Sequence, residues 1–273
     1  MYRAPTIAAR RLFACENRRV NPWLIEAPAV ALLAAAGITT YGAVHPRSQI
    51  FGPAIWCTNS PRKLALTFDD GPNPAITPRF LDLLDRYNAK ATFFLIGRFV
   101  RECPDLVKET AARGHSVGNH TESHPNLFWC SPTQVRIELR LCQDAIRNVL
   151  GARPKWFRPP FGMRNPWVIR VAREMGCETV MLTLIPGDWM VKPAEWLIPR
   201  LQPIADRVVK SSKSDFDSRG GWGDVLCLHD GSHRGLNGDR TRTLAALEHW
   251  LPRWRDLGLE FVTIDEAVRT PAL

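Results

Sequence analysis

The chain has 273 residues, of which 45% are hydrophobic and 23% charged, enough for one domain of barrel size with a short extension. Its net charge is +9: six Arg and two Glu give residues 1–60 a charge of +4, and the remaining +5 is spread over the rest of the chain. This distribution excludes the dense basic stripe of a nucleic-acid-binding protein. The seven cysteines include no CxxC pair, which excludes a zinc ribbon and a thioredoxin-like site, and the sequence specifies no disulfide pairing.

The first predicted element is an apolar, Ala-rich segment at Pro22–Val44, which follows the Arg-rich residues 1–21. Its length would span a bilayer, for which roughly 20 residues suffice. Arg18 and Arg19 precede it, so the positive-inside rule leaves the N-terminus in the cytoplasm and the rest of the chain outside. Two alternatives are a signal peptide whose apolar core is Ala29–Ile38 and a soluble helix that packs on the domain.

We therefore predict a division of the chain into two parts. Residues 1–62 form a basic N-terminus, an anchor or signal-like segment and a linker, and residues 63–273 form the main domain. We expect this domain to face the periplasm or the cell exterior, and we expect membrane association through residues 22–44.

From residue 63 onward, predicted strands alternate with predicted helices. The strands are Lys63–Phe68, Ala91–Gly97, His115–His120, Trp156–Arg158, Thr179–Leu184, Asp224–His229 and Leu259–Ile264. The helices between them are Thr77–Tyr87, Pro104–Arg113, a helix from Ser131 to Gly151, Pro166–Met175, Pro193–Val209 with two internal prolines, and Arg240–Leu257. This alternation predicts a parallel α/β architecture.

The helix after Ser131 has the clearest boundaries in the sequence. Ser131 is suited to the N-cap, Pro132 to the first helical position, and Gln134 completes a capping-box pattern. Gly151 is suited to end the helix.

Polar residues stand at the ends of five predicted strands. They are Asp69 and Asp70 after the first strand, His120 at the third, Arg158 at the fourth, Asp188 after the fifth and His229 at the sixth. Active sites of α/β barrels and open α/β sheets gather at the carboxyl ends of the strands. We therefore predict that these six residues form one site, although Asp69 and Asp70 alone would also suit a solvated turn before Gly71 and Pro72.

Two imidazoles four residues apart, His120 and His124, suggest a metal site. Two His and one carboxylate are a frequent ligand set for a catalytic divalent metal, with positions left open for water and substrate. We favour Asp70 as the carboxylate ligand, but the spacing does not separate it from Asp69.

The remaining polar residues fit proton transfer around such a metal. Asp69 would accept a proton from water, and the guanidinium of Arg158 would keep it ionised. His229 would protonate a leaving group, and Asp188 would support its imidazolium. Alternatively, Arg158 forms a structural ion pair and His229 is a hydrogen-bonded core residue.

Five ordered motifs resemble those of the polysaccharide deacetylases, carbohydrate esterase family 4. They are Thr67-Phe68-Asp69-Asp70-Gly71-Pro72, His120-Thr121-Glu122-Ser123-His124-Pro125, Arg158-Pro159-Pro160-Phe161-Gly162, Asp188-Trp189 and Leu228-His229-Asp230. The resemblance runs from Lys63 to Val268, about three quarters of the chain. It implies a distorted seven-stranded (β/α) barrel and metal-dependent removal of N-acetyl groups from N-acetylglucosamine polymers, or of O-acetyl groups from xylan.

The resemblance also implies roles for individual residues. The implied metal ligands are Asp70, His120 and His124, and the expected metal is Zn, with Co or another divalent ion as alternatives. The implied catalytic residues are Asp69 as the base and His229 as the acid. Arg158 would orient Asp69, and Asp188 would tune the pKa of His229. The backbone N–H of Phe161 would stabilise the oxyanion, and Trp189 would help enclose the acetyl methyl group. Cys227 replaces the family's usual branched aliphatic residue in the acetyl pocket.

One departure concerns the segment before Asp188, which lacks the acidic residue often present there in the family.

Two other functions remain open at this point. One is a glycan-binding relative without turnover, and the other is a metallohydrolase of small non-sugar amides or other C–N bonds.

Overall fold

The structure is a computed structural model that describes residues 23–211 and 221–268. The chain divides into two compact units, Met1–Thr39 and Thr40–Leu273. The domain boundary that we predict between residues 62 and 63 lies within the second unit and stays a prediction. The predicted basic segment, residues 1–21, lies outside the described ranges.

The apolar segment forms helix α1, Trp23–Val44, which contains Pro28. Within the described ranges, no helix combines the length and the apolar character needed to cross a membrane. The structure therefore gives no support to the anchor predicted for residues 22–44.

Seven parallel strands form one sheet, as predicted. They are β1 Lys63–Gly71, β2 Thr92–Leu95, β3 Ser116–Asn119, β4 Trp156–Phe157, β5 Glu178–Thr179, β6 Val225–His229 and β7 Glu260–Val262. The order is β5-β4-β3-β2-β1-β6, and β7 also pairs with β1. Helices pack around this curled sheet, so the distorted (β/α) barrel is confirmed.

Strand β1 is the centre of the sheet. Ala65 pairs with Val225 of β6 and with Val262 of β7, and from Thr67 onward β2 also pairs with β1. Residues 64–71 are all buried. The strand continues past the predicted end at Phe68, and its last residues therefore lie inside the barrel mouth rather than in an open loop.

The predicted fifth strand is wrong in its extent, because regular pairing stops at Thr179. The carbonyls of the next two residues, Val180 and Met181, accept hydrogen bonds from the Arg158 guanidinium at 3.3 and 2.9 Å. A parallel bridge between Leu184 and Leu226 of β6 then closes the barrel. The side-chain donors of Arg158 thus compete with a regular ladder here.

Nine further helices lie in the described ranges. They are α2 Thr77–Arg86, α3 Gly97–Glu102, α4 Pro104–Ala112, α5 Pro132–Leu150, α6 Pro166–Glu174, α7 Ala194–Leu197, α8 Gln202–Ser211, α9 Thr241–Asp256 and α10 Ile264–Val268. The capping box between Ser131 and Gln134 is present, and Gly151 ends α5 in the left-handed region at φ 78°. A 3-10 turn at Ile198–Leu201 separates α7 from α8, as the internal prolines indicated. Helices α3 and α10 were missed.

Residues 43–58 bind the side of the barrel. The buried guanidinium of Arg164 donates hydrogen bonds to the carbonyls of His45 at 2.7 Å and Ser48 at 3.1 Å. Ile55 forms a parallel bridge with the residue after β5. This segment therefore completes the folded unit, and the unit begins before the first strand.

We predict that deletion of residues 1–62 destabilises the protein more than deletion of residues 1–39. The longer deletion leaves the buried Arg164 donors without acceptors, at roughly 1–3 kcal/mol for each unsatisfied group. At ~2–4 °C per kcal/mol for a chain of this size, Tm should fall by at least about 5 °C. Thermal unfolding of both variants measures the effect, and equal Tm values would contradict the structural role of residues 43–58.

Candidate active site

The carboxyl ends of the strands surround a cavity of about 480 Å³. Nine of the ten predicted site residues line it: Asp69, Asp70, His120, His124, Arg158, Phe161, Trp189, Cys227 and His229. The tenth, Asp188, is buried and bonded to His229. The structure therefore brings together all the residues that the sequence placed at one edge of the sheet.

The end of β1 directs its two carboxylates to different partners. The pairing of β1 with β2 is irregular between Asp69 and Gly71, and Asp70 adopts a positive φ of 70°. A Cβ on Gly71 would lie 2.5 Å from the carboxylate of Asp230, so the close approach of that buried side chain requires glycine. This backbone geometry separates the surroundings of Asp69 from those of Asp70.

A tight loop after β3 presents the two imidazoles. The Asn119 side chain accepts a hydrogen bond from the Thr121 N–H at 2.8 Å, and the Thr121 hydroxyl accepts one from the His124 N–H at 3.0 Å. The carboxylate of Glu138 on α5 accepts hydrogen bonds from two further N–H groups of the loop, at Glu122 and Ser123. The loop thus satisfies its backbone donors while His120 and His124 face the same point.

That point is the Oδ1 atom of Asp70. It lies 3.5 Å from Nε2 of His120 and 3.2 Å from Nε2 of His124. Nδ1 of His120 is 2.8 Å from the Arg158 carbonyl, which can only accept, so Nδ1 carries a proton and Nε2 is the nitrogen that faces Asp70. Among the described residues, Asp70 Oδ1 is buried without a hydrogen-bond partner.

The electrostatics of these residues suit a cation. Burial, helped by the charge of His120, lowers the pKa of His124 to about 3, so its imidazole is neutral at physiological pH. Burial alone would raise the pKa of Asp70, but its interactions with His120, His233 and His229 hold it well below its ordinary value. Two donors each ~2.1 Å from Zn²⁺ at a tetrahedral angle lie about 3.4 Å apart, which matches these separations. The residues therefore fit a divalent metal.

Arg158 connects Asp69 to the barrel wall. Its Nη1 donates hydrogen bonds to Asp69 Oδ1 at 2.9 Å and to the Thr67 hydroxyl at 2.6 Å. Asp69 and Arg158 are both buried. Burying either charge without the other would cost several kcal/mol or more, so the ion pair is needed at this place. Asp69 thus has one oxygen on Arg158 and the other on the thiol of Cys227, which also lines the cavity.

His229 and Asp188 form a second hydrogen-bonded pair at the cavity, in which Asp188 is buried and His229 is partly buried. Asp188 accepts hydrogen bonds from Nδ1 and from the backbone N–H of His229, each at 2.8 Å, and from the Thr243 hydroxyl at 3.1 Å. Burial alone would lower the pKa of His229, but the charge and hydrogen bond of Asp188, with the charges of Asp70 and Asp69, raise it to about 9. His229 is therefore protonated at neutral pH, with Nε2 free to face the cavity.

Three predicted residues line the cavity between these groups. Phe161 has a φ of 59°, and its backbone N–H makes no hydrogen bond with the described residues. Trp189 is partly exposed, with its ring centroid 5.4 Å from that of His229. Burial and the charge of Asp69 raise the pKa of Cys227 well above its ordinary value, so Cys227 stays a thiol and donates a hydrogen bond to Asp69 at 3.4 Å.

Sequence reasoning missed several residues of this site. Thr67 accepts a hydrogen bond from Arg158, and Thr243 donates one to Asp188. No pattern in the sequence distinguishes these two residues from core threonines. Asp230 and His233 follow the sixth strand within four residues of His229, and that position at the barrel mouth was a usable signal. His233 reaches Asp70, with its backbone N–H 3.2 Å from Oδ2.

Comparison with known proteins agrees with this geometry. The sequence profile described as Polysaccharide deacetylase matches residues 57–180. A peptidoglycan-N-acetylglucosamine deacetylase of Bacillus cereus is 38% identical over 77% of this chain and 90% of its own length. A chitooligosaccharide deacetylase of Azorhizobium caulinodans is 30% identical over 75% of this chain and 93% of its own. The solved structure of the Bc1960 peptidoglycan N-acetylglucosamine deacetylase is 29% identical, with a TM-score of 0.67, and the match covers 80% of this chain and 92% of that one.

The Asp188–His229 pair predicts a pH dependence of stability. The folded-state pKa of His229, about 9, lies above the ordinary value of 6.5, so charged His229 stabilises the metal-free protein fully below pH 6.5. This stabilisation is lost as the pH rises through the folded-state value. At ~1.4 kcal/mol per pKa unit, the wild-type protein should lose about 3 kcal/mol of unfolding free energy over this range.

The variant Asp188→Asn is the matched comparison for this prediction. Without the carboxylate charge, burial should lower the pKa of His229 and shrink the pH-dependent loss. Chemical denaturation of both proteins at a series of pH values measures the difference. Equal pH dependence in the two proteins would contradict the assignment.

Proposed function

Because the chain belongs to the polysaccharide deacetylase family, we propose that it hydrolyses the N-acetyl groups of N-acetylglucosamine residues in a cell-wall or chitin-like glycan. The observation that carries this proposal is that Nε2 of His120 and Nε2 of His124 lie 3.5 and 3.2 Å from Asp70 Oδ1, while Asp69 and His229 line the same cavity. Relatives with peptidoglycan and chitooligosaccharide substrates support an acetylated glycan as the substrate class.

A divalent metal is the proposed cofactor, and its proposed ligands are Asp70, His120 and His124. Two imidazoles with one carboxylate favour zinc, with cobalt as an alternative. The ion would polarise the acetyl carbonyl and lower the pKa of water. The remaining steps belong to side chains of the chain itself.

Asp69 is the proposed general base. Its Oδ1 accepts a hydrogen bond from Arg158, which orients the carboxylate, and its Oδ2 contacts the Cys227 thiol at the cavity. From there it would take the proton of the water that attacks the acetyl carbon. Arg158 would act on this step only through Asp69, as a positioning residue.

His229 is the proposed general acid. It enters the reaction protonated at neutral pH, because Asp188 stabilises its charge. Its Nε2 would donate a proton to the sugar nitrogen as the C–N bond breaks, which converts the nitrogen into a good leaving group. Asp188 is the positioning residue for this step.

The acetyl group would lie between these two residues. The free N–H of Phe161 is the proposed hydrogen-bond donor to the oxyanion. Trp189, Cys227 and Leu182 line the cavity and would enclose the methyl group, with Cys227 giving a slightly wider space than a branched aliphatic side chain.

A cell-wall substrate implies action outside the cytoplasm. The names of the relatives support export of the catalytic unit, because peptidoglycan lies outside the inner membrane. We propose that the Arg-rich N-terminus and the apolar residues 22–44 serve this export.

Exchange of one carboxylate separates the roles proposed for the two aspartates. Asp69→Asn should lower the rate of acetate release by at least about 10²-fold, since it removes a general base, and should retain bound zinc. Asp70→Asn should lose zinc. Acetate release and metal content of each purified variant measure both effects, and loss of zinc from Asp69→Asn would show that the two roles are reversed.

Metal removal and substrate comparison test the reaction itself. The full chain should release acetate from N-acetylated chito-oligosaccharides or peptidoglycan, lose this activity with a chelator and regain it with zinc or cobalt. Release of acetate only from small non-sugar amides would favour the alternative metallohydrolase. Binding of the glycans without acetate release would favour the non-catalytic alternative.

A further inference from the structure

A third imidazole, His233, lies beside the proposed metal ligands. Its Nδ1 is 3.6 Å from Asp70 Oδ2, and its ring centroid is 4.5 Å from that of His124, with the two ring planes 9° apart. One donor atom from each of Asp70, His124 and His233 lies within 4.8 Å of the others. Three residues therefore form a second possible ligand set that shares two members with the first.

The backbone fixes His233 in this place. The Gly231 N–H donates a hydrogen bond to the Asp69 carbonyl at 3.3 Å, and a Cβ on Gly231 would lie 1.9 Å from the Asp70 carbonyl, so the loop after β6 abuts the end of β1. Arg240 donates to the Gly231 carbonyl at 2.8 Å, and Arg98 donates to the His233 carbonyl. The position of the His233 backbone thus follows from contacts on both sides of the loop.

We propose that His233 is a fourth protein ligand of the divalent ion. This inference rests on the proposed function, because it assumes the ion between Asp70, His120 and His124. The His233 side chain is 36% exposed and lines the cavity, whereas those of His120 and His124 are 2% and 5% exposed. Of the three imidazoles, His233 is therefore the one that can leave when a glycan enters, which keeps a position open for reaction.

Packing alone is the competing explanation for these contacts. The His233 ring packs against His124 and lies edge-on to Phe161, with centroids 5.6 Å apart. A side chain that only supports His124 needs a flat ring and no nitrogen. His233→Phe keeps the ring and removes the donor atom, and His233→Ala removes both.

The experiment measures zinc binding to the full chain by competition with a chromophoric chelator. His233→Ala and His233→Phe should each weaken zinc binding by at least about tenfold, on the scale seen when groups around a metal site are removed. Both should also change the visible absorption of the cobalt-loaded protein, which reports the ligand set. His249→Ala, a histidine on α9 away from the cavity, is the control and should match the wild type.

A measurement on the unmodified chain gives a result that does not depend on the folding of any variant. Zinc added to protein with ¹⁵N-labelled histidine should shift ring nitrogens of His120, His124 and His233. Shifts confined to His120 and His124, or a His233→Phe variant with wild-type zinc affinity and cobalt absorption, would overturn the proposal. Retention of zinc by Asp70→Asn would instead overturn the metal site of the proposed function.

Discussion

The buried ion pair between Arg158 and Asp69 links the barrel wall to the candidate active site. The same guanidinium donates hydrogen bonds to the carbonyls of Val180 and Met181, and the Arg158 carbonyl accepts the Nδ1 proton of His120. One residue therefore orients the proposed base, fixes the tautomer of a proposed metal ligand and shapes the segment that closes the barrel. Removing it would leave a buried carboxylate unpaired, which typically costs 3–5 kcal/mol.

Two histidines that line the cavity acquire different charge states from the same physical rules. His124 has a pKa of about 3, because burial and neighbouring imidazoles outweigh the attraction of Asp70. His229 has a pKa of about 9, because the charge of Asp188 and its hydrogen bond to the His229 ring outweigh the effect of burial. Metal ligation needs the first state and proton donation needs the second, so the placement of one carboxylate divides the two tasks.

Sequence patterns predicted the fold and most of the site, because carboxyl ends of parallel strands meet at one edge and polar residues there stand out against apolar runs. Two features were beyond their reach. The distinct surroundings of Asp69 and Asp70 arise from the positive φ of Asp70, and no neighbouring residue in the sequence indicates this backbone conformation. The fifth strand ended early because side-chain donors of Arg158 took its carbonyls, and such competition is visible only in three dimensions. Helix α5 was predicted well because its capping box is local.

The manner in which Arg164 holds residues 43–48 has a consequence for how this enzyme can diversify. In this segment, the Arg164 guanidinium donates its hydrogen bonds to the main-chain carbonyls of His45 and Ser48 and not to their side chains. The neighbouring Val44 and Pro46 form part of the cavity rim. Substitution of Val44 or Pro46 can therefore change the size or polarity of the cavity lining while the hydrogen bonds from Arg164 stay in place. Such substitutions could change which sugar unit the cavity accepts without altering the residues proposed to transfer protons or bind the metal.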